Sequence, residues 1–171
     1  EAGKNFDKQL KAIEERYNEI IKGLGLKLSL KEQFETIKKN FESKAGKDYA
    51  ASRGEYLNGI IMANYLGYEF IDAASVICFD PEGEFDGEKT NKVMADRLAN
   101  VEKAVIPGFY GAMPNGEVKT FSRGGSDVTG SIVARAIKAD VYENWTDVSG
   151  FLAADPRIVA VSYTHLRAHE T

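Results

Sequence analysis

Arginine, paired glycines, a serine and an aspartate stand together at Arg123-Gly124-Gly125-Ser126-Asp127, directly ahead of a segment with helical periodicity. Those residue types in that place can hold an anion. Val128, Ile132, Val133, Ala136 and Ile137 recur at spacings of three and four, which predicts a helix over 127–139 with Ser126 as its N-cap. First-turn N–H groups lack intrahelical acceptors and carry the positive end of the macrodipole, so a carboxylate or phosphate is favoured there. Gly124 and Gly125 let backbone N–H groups approach a ligand, and Arg123 adds a planar fork of donors. The same string also reads as a flexible turn closed by a Ser or Asp cap, a use that involves no ligand.

A second string narrows the choice. Trp145-Thr146-Asp147-Val148 with Gly150, Phe151 and Asp155-Pro156-Arg157 follows a strand-like segment at 141–145. It places a hydroxyl and carboxylates just beyond a strand, and open α/β sheets bind ligands at the carboxyl ends of their strands.

Together these strings resemble the aspartokinases of the amino-acid-kinase superfamily. Two further pieces extend the likeness over 51–159: Ser52-Arg53-Gly54-Glu55 is similar to the family's Ser-x-Gly-Glu segment, and Ile106-Pro107-Gly108-Phe109-Tyr110-Gly111 to its strand and glycine turn. The resemblance implies a three-layer αβα sandwich with a mainly parallel central sheet, incomplete in this chain. It implies phosphoryl transfer from ATP, with Mg²⁺ bridging phosphate oxygens, to the side-chain carboxylate of L-aspartate, the entry step to lysine, threonine and methionine. Arg123 would hold the substrate's α-carboxylate and Glu55 its ammonium, with Phe109, Gly124, Gly125 and Ser126 lining the same pocket. Asp127 would organise the reacting centre, and Thr146, Asp147, Phe151, Asp155 and Arg157 would lie on the nucleotide side. Other members of the superfamily, acting on glutamate, N-acetylglutamate or a nucleoside monophosphate, and a noncatalytic nucleotide- or amino-acid-binding module are the alternative readings.

The family's Lys-Phe-Gly-Gly-type opening strand has no counterpart here, so the chain is expected not to catalyse by itself. The domain is expected to occupy 1–160. Residues 161–171 back-translate to a string resembling a sequencing-library transposase adapter and are expected to be a non-native tail, which resequencing from native DNA would test. Both histidines, His165 and His169, lie in that tail at i and i+4 without a third ligand, so no metal site is expected from them.

The elements that must position these residues follow from pattern. Helices are predicted over 5–24, with the stripe Phe6, Leu10, Ile13, Tyr17, Ile20 and Ile21, and over 31–44. A third spans 48–66 and buries Tyr56, Leu57, Ile60, Ile61 and Tyr65, and a fourth runs over 90–102, capped by Thr90. Strands are expected at 69–72, 75–80 and 105–108, with a hairpin of 109–112 and 118–121 about the Met113-Pro114-Asn115-Gly116 turn. Cys78 reads as a buried strand thiol. The acidic stretch 80–88 lacks the closing glutamate of an EF-hand and reads as a solvated loop.

With 171 residues at 43% apolar content, one domain is the natural count. A net charge of −4, its lysines interleaved with glutamates on helices, gives no footprint for nucleic acid. No apolar run approaches the roughly 20 residues that span a bilayer, and a cytoplasmic location is expected. The residues do not decide oligomeric state; a homo-oligomeric parent protein is compatible with the resemblance.

Overall fold

The computed structural model describes residues 5–122 and 124–145. The fold is α/β. Helices α1 (Asp7–Gly23), α2 (Lys31–Glu42) and α3 (Gly46–Leu66) come first, near their expected bounds. Gly67 ends α3 in the left-handed conformation, at φ 69°, with its N–H turned back to Asn64. Ile21, Leu30, Phe34, Ile37, Leu57 and Ile61 form the cluster that joins these helices. Ile13 and Tyr65, expected to face inward, stay 46% and 55% exposed.

Beyond α3, strand β1 (Glu69–Phe70) pairs in parallel with β2 (Ala104–Val105), after a crossover through a 3₁₀ turn at Ala73–Ser75 and helix α4 (Gly87–Leu98). Strands β3 (Tyr110–Ala112) and β4 (Val118–Thr120) form the expected antiparallel hairpin, closed by a turn in which Gly116 has φ 84°. Helix α5 (Gly125–Ala136) follows. The mainly parallel sheet is thus represented among the described residues by a two-stranded parallel pair, the hairpin and a single parallel bridge, Cys78 to Ala112.

The expected strand at 75–80 is instead the end of the 3₁₀ turn followed by isolated bridges. Thr90 explains the substitution. Its buried hydroxyl accepts the Cys78 N–H at 2.9 Å, doing there what a neighbouring strand would do. Thr90 therefore lies within α4 and is not its cap; Asp86 caps the helix, accepting the Lys89 N–H at 3.0 Å. Cys78 itself is half-buried. The segment 141–145 forms no strand, and Val141 and Trp145 are largely exposed.

The second cluster gathers Ile71, Val76, Ile77, Tyr110, Met94 of α4 and Ile132 of α5. Helix α3 serves both clusters. Tyr56 packs on each, and Gly59 lets the Phe70 ring come within 3.0 Å of where a Cβ would stand. On α5, Ile132 and Ala136 are buried, whereas Val128 and Ile137 of the expected stripe are exposed, so the buried face is narrower than the apolar pattern.

Candidate functional site

The chain turns sharply where β3 begins. Phe109, a β-carbon residue, holds φ 64°, a conformation that side chains disfavour and that surrounding contacts must impose. Those contacts come from the start of α5. The Phe109 N–H donates to Thr129 Oγ1 at 3.0 Å, and that hydroxyl donates to the Gly125 carbonyl at 2.7 Å. The Phe109 carbonyl accepts from Phe121 N–H at 2.9 Å, closing the base of the hairpin. A Cβ at Gly125 would stand 2.6 Å from Phe109 Cβ and 2.9 Å from Phe121 Cβ, so only glycine lets the helix start seat against the turn.

Gly124, in the left-handed region at φ 62°, is the N-cap of α5, and no side chain caps the helix. Ser126 therefore lies inside the first turn and is not the cap; Gly124 takes that place because the loop must turn left-handed to bring the helix against Phe109. Gly125, Ser126 and Asp127 all line a cavity of about 300 Å³, shared with Phe109, Phe121 and Ser122. Among the described residues their N–H groups have no side-chain partners at the positive end of the helix, which suits an anion. Asp127 sets a carboxylate at the same rim, where it accepts the Asn144 side-chain N–H at 3.2 Å.

The structure thus brings Phe109, Gly124, Gly125, Ser126 and Asp127 together. Glu55 is not among the walls of that cavity. It is exposed on α3, one residue from the Gly54 carbonyl that accepts the Tyr17 hydroxyl at 3.0 Å. Burial, and secondly the Glu55 charge, push the Tyr17 hydroxyl above its usual value. Arg123, Thr146, Asp147, Phe151, Asp155 and Arg157 lie outside the described residues, as do His165, His169 and the 161–171 segment. Thr129 is the structural member that sequence reasoning missed. Its signal was faint: a threonine four residues after Gly125, in register to return a hydroxyl to that carbonyl.

These features define a class: an α/β domain presenting a glycine-led helix start without a described side-chain cap beside a strained turn, an arrangement that suits an anion. The chain belongs to the amino acid kinase family, which matches residues 2–171. It is 32% identical over 162 residues to aspartokinase 3 of Bacillus subtilis (strain 168), covering 86% of this chain and 36% of the relative. It is similar to the crystal structure of Clostridium acetobutylicum aspartate kinase, with a TM-score of 0.81 and 58% identity over 92% of this chain and 36% of that one. E. coli aspartokinase III in complex with aspartate and ADP is also similar, with a TM-score of 0.71 and 27% identity over 94% of this chain and 40% of that one. The chain thus spans a little over a third of the length of these relatives.

Proposed function

We propose that this chain is part of an aspartate kinase, and that the cavity at the start of α5 is the acceptor side of its site. The observation that carries this reading is the convergence of Phe109 with Gly124, Gly125, Ser126 and Asp127 on one cavity at an uncapped helix terminus. The similarity to an aspartate kinase structure at 58% identity supplies the substrate class.

The reaction moves the γ-phosphoryl group of ATP onto a side-chain carboxylate oxygen of L-aspartate, releasing ADP and leaving an acyl phosphate. Two anions must approach, so positioning and charge compensation are the protein's main contributions. The Gly125, Ser126 and Asp127 amides and the helix dipole offset negative charge at the acceptor, with Arg123 gripping the α-carboxylate and Glu55 the ammonium. Asp127 orders the reacting centre, while Thr146, Asp147, Phe151, Asp155 and Arg157 hold the nucleotide. Mg²⁺ would enter on the nucleotide, held by phosphate oxygens and waters, and Asp127 is the carboxylate of this cavity that fits its hydration shell. It would supply charge neutralisation on the phosphates. A cytoplasmic place at the head of lysine, threonine and methionine synthesis accompanies this reading; among the described residues no helix is long and apolar enough to cross a membrane.

The test is hydroxylamine trapping of the acyl phosphate made by the complete gene product from ATP and L-aspartate. Aspartate hydroxamate is expected, and Arg123→Lys should raise KM for aspartate about tenfold or more, since a point charge does not reproduce a planar fork. Turnover of glutamate or N-acetylglutamate without turnover of aspartate would overturn the substrate assignment.

A further inference from the structure

Two threonines are buried among the described residues, Thr90 at 0% and Thr129 at 3% exposure, and each uses its hydroxyl to catch the peptide of a distant loop. Thr90 Oγ1 accepts the Cys78 N–H at 2.9 Å, and Thr129 Oγ1 accepts the Phe109 N–H at 3.0 Å. The second peptide is the unusual one. Phe109 stands at φ 64°, and it walls the acceptor cavity. A residue with a β-carbon keeps that conformation only where contacts impose it.

Thr129 is placed to impose it. Its hydroxyl donates to the Gly125 carbonyl at 2.7 Å, which commits the proton to α5 and leaves a lone pair for the loop. On the other side of the residue, the Phe109 carbonyl accepts the Phe121 N–H at 2.9 Å. Both backbone polar groups of Phe109 are thus engaged. Only the bond to Thr129 comes from a side chain, so only that one can be removed by substitution. The same hydroxyl also joins Phe109 to Gly125, whose added Cβ would stand 2.6 Å from Phe109 Cβ. Thr129 is not among the described residues that wall the acceptor cavity, but it binds two that do.

We propose that Thr129 is a positioning residue of the acceptor cavity: its hydroxyl holds Phe109 in the left-handed conformation, and that conformation is the one that binds the acceptor. For the acceptor's identity the inference rests on reading this chain as part of an aspartate kinase. Without the hydroxyl, the Phe109 N–H loses its acceptor and φ 64° loses its support, so the residue relaxes toward negative φ and its side chain leaves the cavity wall. Acceptor binding weakens. The transfer step is spared, because an acceptor that has bound has already restored the turn. Binding that selects the closed turn must in return hold that turn closed.

The experiment uses the complete gene product. In Thr129→Val, KM for aspartate should rise about tenfold, the effect of one buried hydrogen bond, while kcat and KM for ATP stay within about twofold. Thr129→Ser keeps the hydroxyl and should restore the parent KM. Thr90→Val removes the matching bond on α4, and should lower the thermal midpoint while leaving KM for aspartate within about twofold. A purely structural role for Thr129 would lower the folded fraction, and with it the rate at saturation, but not raise KM. An unchanged KM in Thr129→Val, or a rise in Thr129→Ser or Thr90→Val as large as in Thr129→Val, would refute the proposal. Hydrogen exchange of the parent decides even if the valine variant does not fold. Saturating aspartate should slow exchange of the Phe109 amide at least about fivefold more than that of the Cys78 amide, the low end of coupling between sites, and equal slowing would count against Thr129 as decisively. Should the gene product phosphorylate a different acceptor, the same comparisons run with that acceptor test Thr129, whereas a lack of aspartate hydroxamate refutes the aspartate assignment alone.

Discussion

Gly125 carries more of the site's geometry than any charged side chain described there. The Phe109 Cα lies 2.9 Å from the position a Cβ would take, and Phe109 is already held at φ 64° by Thr129. A methyl group at 125 therefore meets backbone that has little freedom to yield. Gly125→Ala should lower stability by about 1–3 kcal/mol, the range for overpacking a close contact, read from the urea midpoint. A loss below about 0.5 kcal/mol, the size of a neutral surface change, would mean that the turn is soft. Residue types alone marked 124–127, because a glycine pair and a following helical period are visible in a linear string, whereas Phe109 was marked only by the resemblance to the family. The placement of Glu55 was not visible that way: an exposed carboxylate on a helix has the same local pattern whether or not it faces a ligand, and only the structure shows that it stands near Tyr17 of α1.

At the scale of elements, two helix starts that look alike in sequence are built differently. Asp86 accepts the Lys89 N–H and closes α4, whereas α5 opens on Gly124 with no side-chain cap. Removing the Asp86 carboxylate in Asp86→Ala should cost about 0.5–2 kcal/mol, the worth of an N-cap. Ser126→Ala, in contrast, should leave the thermal midpoint within the shift that about 0.5 kcal/mol produces. Equal losses in the two variants would show that Ser126 caps α5 after all. Helix positions were legible because their period is local; α1 and α2 needed only their own apolar spacing. The strands were less so, because a ladder depends on a partner remote in sequence. The apolar run at 75–80 has the composition of a strand, yet its Cys78 N–H is satisfied by a threonine side chain twelve residues on, and no pattern in the run announces that.

For the whole molecule, α3 and its aromatic residues tie the helical cluster of α1 and α2 to the cluster around the strands, and they make the junction sensitive to alkali. Tyr56 packs against both clusters, and Tyr110, fully buried, donates its hydroxyl to Asp72 Oδ1 at 2.7 Å. Burial first, and the Asp72 charge second, push both phenols above the ordinary value of 10.0, Tyr110 by far the more. Tyr17 is raised as well, by burial and then by Glu55. Raised folded-state values mean that the native protein keeps these protons when the unfolded chain begins to release them. The contribution to stability is therefore complete below about pH 10 and is lost progressively as the pH climbs toward the folded-state values. The urea midpoint should hold between about pH 8 and pH 9 and then fall steeply, in step with tyrosinate absorbance of the unfolding chain. In Tyr110→Phe the neutral-pH midpoint should drop, because the hydroxyl's bond to Asp72 is gone, but the alkaline fall should be shallower, since the most displaced phenol no longer titrates. If the variant falls as steeply as the parent, the alkaline sensitivity arises elsewhere than at the junction of the two clusters.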